Sequence, residues 1–225
     1  MKQKDTFIIA LSGPSGSGKT EVLKLLVNAI ADSDSIRFDD YDHLHQWPSD
    51  VKAWVKNGVD LSQFRSPQFF LDLAELKRGG QVQNPFSHRT VGPAKVLVVE
   101  TFFGRNQPDL ARLVDFVVCL SIPLEVCIAR RILRDIKGIA TQDQKESGKI
   151  DHKRIVEHVE SYCSRYLEYT RDYYFRCCST AAAHCDLELT EIEAPQEYLR
   201  EVKAALGNRV RWKAPQQVAT LPDKE

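Results

Sequence analysis

The sequence predicts a three-layer α/β domain, a mainly parallel sheet with helices on both faces, and three observations predict it. Short, nearly continuous apolar runs recur as "TFIIALS", "AKVLVVE" and "DFVVCLSI", as expected for strands covered on both faces. Segments with helical spacing separate them, the alternation that parallel β-α-β units require. The 225 residues are enough for one well-buried core.

Taken in order, "TFIIALS" is the first strand. From Lys19 to Ala31 the apolar positions Val22, Leu23, Leu26, Ala29 and Ile30 follow one helix face. "SIRFDD" reads as a second strand ending in acids, and "FFLDLAELKRGG" as a helix stopped by a glycine pair. After two more strands, "LEVCIARRILRDI" is a helix that runs into the polar segment "KGIATQDQKESGK". A long helical pattern follows from about 151 to 175, where Val159, Tyr162, Tyr166 and Tyr173 recur as a packed face rather than a nucleic-acid surface. "CDLELTE" is a last strand, and "PQEYLREVKAAL" a closing helix with Pro195 in its first turn. One domain is expected over 1–206, with its least regular part, about 47–89, as a substrate-binding insertion. A loosely held tail is expected over 207–225.

Lys plus Arg and Asp plus Glu both number 31, so no broadly basic nucleic-acid surface is expected. No run approaches the roughly 20 apolar residues of a membrane span, and the run after "MKQKD" is too short for a secretory core. A cytoplasmic protein is expected, with neither a membrane nor a nucleic-acid partner. Cysteine spacing, including that of Cys177, Cys178 and Cys185 around His184, matches no common zinc site.

Gly13-Pro14-Ser15-Gly16-Ser17-Gly18-Lys19-Thr20 satisfies G-x-x-x-x-G-K-[ST] between an apolar strand and an amphipathic helix. Such a loop turns backbone N–H groups toward phosphate oxygens, and the helix N-terminus adds positive potential. Lys19 reaches the β and γ phosphates, and Thr20 offers a hydroxyl to Mg²⁺. Glu21 opens the helix beside the phosphates and breaks the alternative dinucleotide fingerprint G-x-G-x-x-G. Asp39 and Asp40 end the second strand, where a carboxylate can meet both the metal and the proton of an acceptor hydroxyl. Glu100 ends "KVLVVE", the position of a metal-supporting acid. On spacing alone Asp39 is equally readable as a capping or solvated strand-end carboxylate, whereas spacing favours the functional reading of Glu100. No N-K-x-D guanine-reading sequence occurs, so a small-molecule kinase fits better than a regulatory GTPase.

"IIALSGPSGSGKT", "FDDYDHL", "VLVVETFFG" and "VDFVVCLSIPLEVCIARRILRD", spread over roughly 6 to 190, resemble the uridine kinase/phosphoribulokinase family. The resemblance implies a P-loop NTPase fold with a mobile lid at about 130–150. It also implies ATP-dependent transfer, with Mg²⁺, to a hydroxyl of a small metabolite, a uridine-like nucleoside first. By position it makes Asp39 the general base, and puts Thr20, Glu100 and Asp39 around the metal. Arg131 then faces substrate and phosphates, Arg134 clamps phosphates, and Arg130 is left on a solvated face. Tyr41, His43 and His88 become acceptor-pocket candidates, and a homo-oligomer is compatible with the family.

Two departures matter. The arginine-bearing G-R segment after the lid helix is replaced by "KGIATQDQ", which leaves Lys137, Lys145 or Lys149 to meet phosphate charge. Arg65, in "QFRSP", stands where uridine kinases carry an aspartate for ribose hydroxyls. A guanidinium there favours a carboxylate or phosphate on the acceptor. The open readings are a nucleoside-like acceptor, an acidic or phosphorylated one, and a non-catalytic nucleotide-binding regulator.

Overall fold

The computed structural model describes residues 5–214. In chain order the elements are β1 (Phe7–Ser12), α1 (Lys19–Ala29), β2 (Ser33–Arg37), α2 (Val51–Lys56), α3 (Pro67–Lys77), β3 (Val82–Gln83), β4 (Thr90–Val91) and β5 (Val96–Glu100). There follow α4 (Pro108–Ala111), β6 (Phe116–Leu120), α5 (Leu124–Ser147), α6 (His152–Arg165), α7 (Arg171–Ala182), β7 (Leu187–Leu189) and α8 (Pro195–Leu206). Five parallel strands form one sheet in the order β2-β5-β1-β6-β7.

The apolar runs are continuous because both faces are covered. In β1, Ile8 and Ala10 enter one core while Ile9 and Leu11 enter the other; Leu97 and Val99 of β5 part from Val96 and Val98 in the same way. On one face α3 and α7 pack with Phe38, Phe64, Phe69 and Phe103. On the other, α1 and α8 supply Val22, Leu26, Val202 and Leu206. The three-layer α/β fold with helices on both faces is as expected.

Four local expectations change. β2 ends at Arg37, and Asp39 and Asp40 lie in a 3₁₀ turn over Phe38–Leu44. Phe38 is drawn against Phe69 and Phe103, ring centroids 5.0 and 5.4 Å away, and this burial bends the chain off the sheet. The stretch 47–89 is more regular than expected, since besides the expected helix α3 it holds α2 and β3, which pairs with β4 just beyond it. The polar segment "KGIATQDQKESGK" is itself largely helical: α5 runs to Ser147 and stops at Gly148 in the left-handed region. Buried Asp143 pins it to α6 by accepting from the Arg154 guanidinium at 2.5 Å and the Asp151 N–H at 3.0 Å. The start of the expected loose tail is held: Val210 is buried, and Ala31 and Lys213 N–H groups donate at 2.8 Å to Arg211 and Ala29 carbonyls. The rest of that tail, 215–225, lies outside the described residues.

The 151–175 pattern forms α6, a single π turn over Tyr166–Thr170, and the start of α7. Tyr166 and Tyr173 are buried as a packed face requires, while Tyr162 stays half-buried toward α5.

Candidate active site

Strand register assembles the site. Leu11 and Arg37 both pair with Glu100, so the ends of β1, β2 and β5 reach one level, just below the glycine loop. In that loop Gly16 (φ +92°) and Gly18 (φ +102°) take left-handed conformations. A Cβ on Gly16 would come 2.1 Å from the Cys127 carbonyl oxygen, so the loop sits directly on the start of α5. The N–H groups of Gly16, Gly18, Lys19 and Thr20 meet no backbone acceptor among the described residues, leaving them for an anion.

Lys19 is buried beside them. Its Nζ donates to the Pro14 carbonyl at 3.0 Å, lies 3.9 Å from Glu100 and stands 5.0 Å over the Phe102 ring. The Thr20 hydroxyl lies 3.1 and 3.0 Å from the two Glu100 carboxylate oxygens. Burial pushes the Glu100 carboxyl above its usual range, with Lys19 partly opposing. This donor set fits a magnesium-nucleotide: unpaired loop amides, a buried lysine, and a hydroxyl beside a carboxylate, the hard oxygen ligands that Mg²⁺ takes. The buried Ser17 hydroxyl, without a hydrogen-bond partner among the described residues, adds another donor in the loop.

Asp39 is exposed and lines the same cleft, together with Arg37, Arg130, Arg134 and Phe102. Arg37 forms a short ion pair with Asp40, whose other oxygen accepts from Asn84 at 2.8 Å. Asp40 is thus buried and committed within the protein, while Asp39 is left open. Arg131 donates from Nη1 to the Ser15 hydroxyl at 2.8 Å and from Nε to Asp135 at 2.8 Å. Glu21 is at the cleft rim, ion-paired with Lys24 at 2.7 Å.

Other candidates are not brought to this cleft. Tyr41 is fully buried and its hydroxyl donates to Asp72 at 2.7 Å, which with burial pushes it well above its usual range. Arg65 is exposed and joined through its backbone to Gln46, and exposed His88 occupies a turn at φ +56°. His43 is exposed on the 3₁₀ turn. Lys137 and Lys145 on α5, and Lys149 just after it, are exposed and do not line the cleft. Arg130, expected in solvent, lines it because helical spacing puts it on one stripe with Arg134, whereas Arg131 shares its stripe with Asp135.

Sequence reasoning missed Arg37, Asp135 and His158. Asp135 was legible as the i+4 partner of Arg131; Arg37 carried no signal beyond preceding "FDD", and His158 carried none. A larger cleft, about 810 Å³, lies at the opposite end of the sheet, but its Lys77 and Lys95 are paired with Asp115 and Asp32. It lacks the phosphate loop and its acids.

Comparisons with known proteins bear on the family and the fold. The model of the Phosphoribulokinase / Uridine kinase family matches residues 8–169. A uridine kinase of Shewanella amazonensis is 26% identical over 152 residues, covering 60% of this chain and 72% of that protein. One from Borreliella burgdorferi is 26% identical over 199 residues, covering 82% and 86%. One from Schizosaccharomyces pombe is 31% identical over 151 residues, 57% of this chain but 31% of that longer protein. A solved structure assigned as a fructose transport system kinase, from Silicibacter sp., has a TM-score of 0.50 at 18% identity, covering 84% and 91%. It shares the fold. With the family model spanning well over half of it, this chain belongs to the phosphoribulokinase/uridine kinase family.

Proposed function

We propose that the protein is a cytoplasmic ATP-dependent kinase that transfers the γ-phosphate to a hydroxyl of a small acceptor, a uridine-like nucleoside first. The observation that carries this reading is the convergence of Lys19, Thr20, Glu100 and an open Asp39 in one cleft. The loop amides and Lys19 bind the β and γ phosphates. Thr20 and Glu100 would hold Mg²⁺, with Asp39 near its shell; when bound, the ion neutralises phosphate charge. Asp39 takes up the proton of the acceptor hydroxyl. Arg131, anchored on Ser15, spreads positive charge over the transferring group, and Arg134 and Arg130 support it from the rim.

Arg37 favours a second reading of the acceptor. Its guanidinium gives Asp40 one of five N–H donors and faces the same cleft as Asp39. An acceptor bearing a carboxylate or phosphate would find a fixed cation there, a role that sequence reasoning had given to Arg65.

The test is ADP release across nucleosides, pantothenate-like acids and sugar phosphates. One acceptor class should stimulate turnover, and Asp39→Asn should lower it about 100-fold or more while affinity for an ATP analogue is retained. ATP binding without stimulation by any acceptor would replace the kinase with a nucleotide-binding regulator.

A further inference from the structure

The geometry points to Asp135 as a positioning residue that holds Arg131 over the phosphate loop, with His158 of α6 as its brace. This rests on the kinase reading for its purpose but not for its contacts. Arg131 is stretched between two supports: Nη1 on the Ser15 hydroxyl and Nε on Asp135 Oδ2, both at 2.8 Å. The same Oδ2 lies 3.2 Å from His158 Nε2, so one carboxylate oxygen joins α5 to α6. The Tyr162 ring, also on α6, lies 5.5 Å from the guanidinium carbon.

An ordinary i,i+4 ion pair on an exposed helix contributes little. This pair differs in two respects. The Asp135 side chain is only 15% exposed, and its partner's far end reaches across to the loop rather than into water. Burial pushes the Asp135 carboxyl up, but the hydrogen bonds from Arg131 and His158 outweigh it and hold the group below its usual range. An arginine loses much rotamer freedom when it docks on phosphate; fixing Nε beforehand means less is lost on binding. The expected G-R arginine is replaced by "KGIATQDQ", so the aim of Arg131 is set by Asp135 on its own helix and His158 on α6.

The test is a double-mutant cycle on affinity for a non-hydrolysable ATP analogue with Mg²⁺. Asp135→Asn should weaken binding about tenfold, the effect of one charge-assisted hydrogen bond. In the Arg131→Ala background the same substitution should cost about twofold or less, the part left to Arg134, whose Nε lies 3.6 Å from Asp135 Oδ1. Equal losses in both backgrounds would overturn the assignment, because Asp135 would then act independently of Arg131. His158→Gln, which keeps an N–H donor, should bind better than His158→Ala; equal affinities would remove His158 from the device. Should Asp135→Asn fail to fold, as read by thermal melting, His158→Ala carries the same cycle. Acceptor-dependent ADP release is measured separately on the wild type. Its absence would remove the kinase reading, while the binding cycle still decides for or against Asp135.

Discussion

In the proposed kinase, the phosphate side and the acceptor side of the cleft are built in opposite ways. On the phosphate side eight consecutive residues, Gly13 to Thr20, supply the backbone donors, the lysine and the hydroxyl. On the acceptor side Arg37 ends β2, Asp39 follows it, and Phe102 follows β5. Behind them His45, Ser66 and the aromatic cluster come from stretches far apart in the chain. Phosphate chemistry is the same in every nucleotide, so a local motif suffices for it. An acceptor has to be recognised by shape and charge, and only distant segments brought together by packing can provide that.

The comparison breaks most sharply at Gly16. Gly16→Ala would put a Cβ on the backbone of Cys127 at a positive φ. Nucleotide affinity should fall on the order of 100-fold, equivalent to about 3 kcal/mol. Gly18→Ala meets open space and carries only the left-handed penalty of about 1–2 kcal/mol. Titration of both variants with an ATP analogue checks this; equal losses would mean that contact with α5 does not shape the loop.

On the acceptor side the expected effect is smaller and selective. Arg37→Gln should raise KM for a carboxylate- or phosphate-bearing acceptor about tenfold, while leaving KM for ATP and for neutral nucleosides unchanged. Steady-state kinetics across the panel decides it, and a matching rise for ATP would move Arg37 to the phosphate side.

The smallest effect concerns the floor of the acceptor side. His45 stacks on Phe38 at 4.0 Å, its Nδ1 lies 2.9 Å from the Ser66 hydroxyl, and its buried Nε2, 3.5 Å from Asp42 Oδ1, makes no hydrogen bond among the described residues. Burial lowers its pKa from 6.5 to about 4. An unfolded chain therefore takes up this proton near pH 6.5 and the folded one only near pH 4. The His45 contribution to stability is flat above about pH 6.5 and is lost as pH falls toward 4. His45→Gln should reduce the slope of urea stability against pH in that window; an unchanged slope would place the titration elsewhere.

Much of the fold was legible in the sequence because buried parallel strands have a pattern of their own. "TFIIALS" and "VLVVE" had to be covered on both faces, and Pro195 marked the start of α8. The polar run after Ile136 gave no helical apolar stripe, so its helix could not be read. It holds through Asp143 and Arg154, a contact between residues that only the turn at Gly148 brings together. Val210 likewise looked like part of a loose tail, because the core it enters is made by α1 and α8.

For the site, the sequence by itself determined the phosphate loop, since its glycines, Lys19 and Thr20 act through local backbone geometry and need only a strand before and a helix after. It also marked Glu100 and Asp39 as acids near strand ends. Tertiary structure alone decided which acid stays open. Arg37 and Asn84 engage Asp40, and that leaves Asp39 facing the cleft. It also removed Tyr41 from the cleft by burying its hydroxyl on Asp72, and brought Arg131 to Ser15 across 116 positions. The physical reason is range: hydrophobic periodicity and loop conformation are set by near neighbours, whereas the pairing of a charge is set by whichever element packs against it.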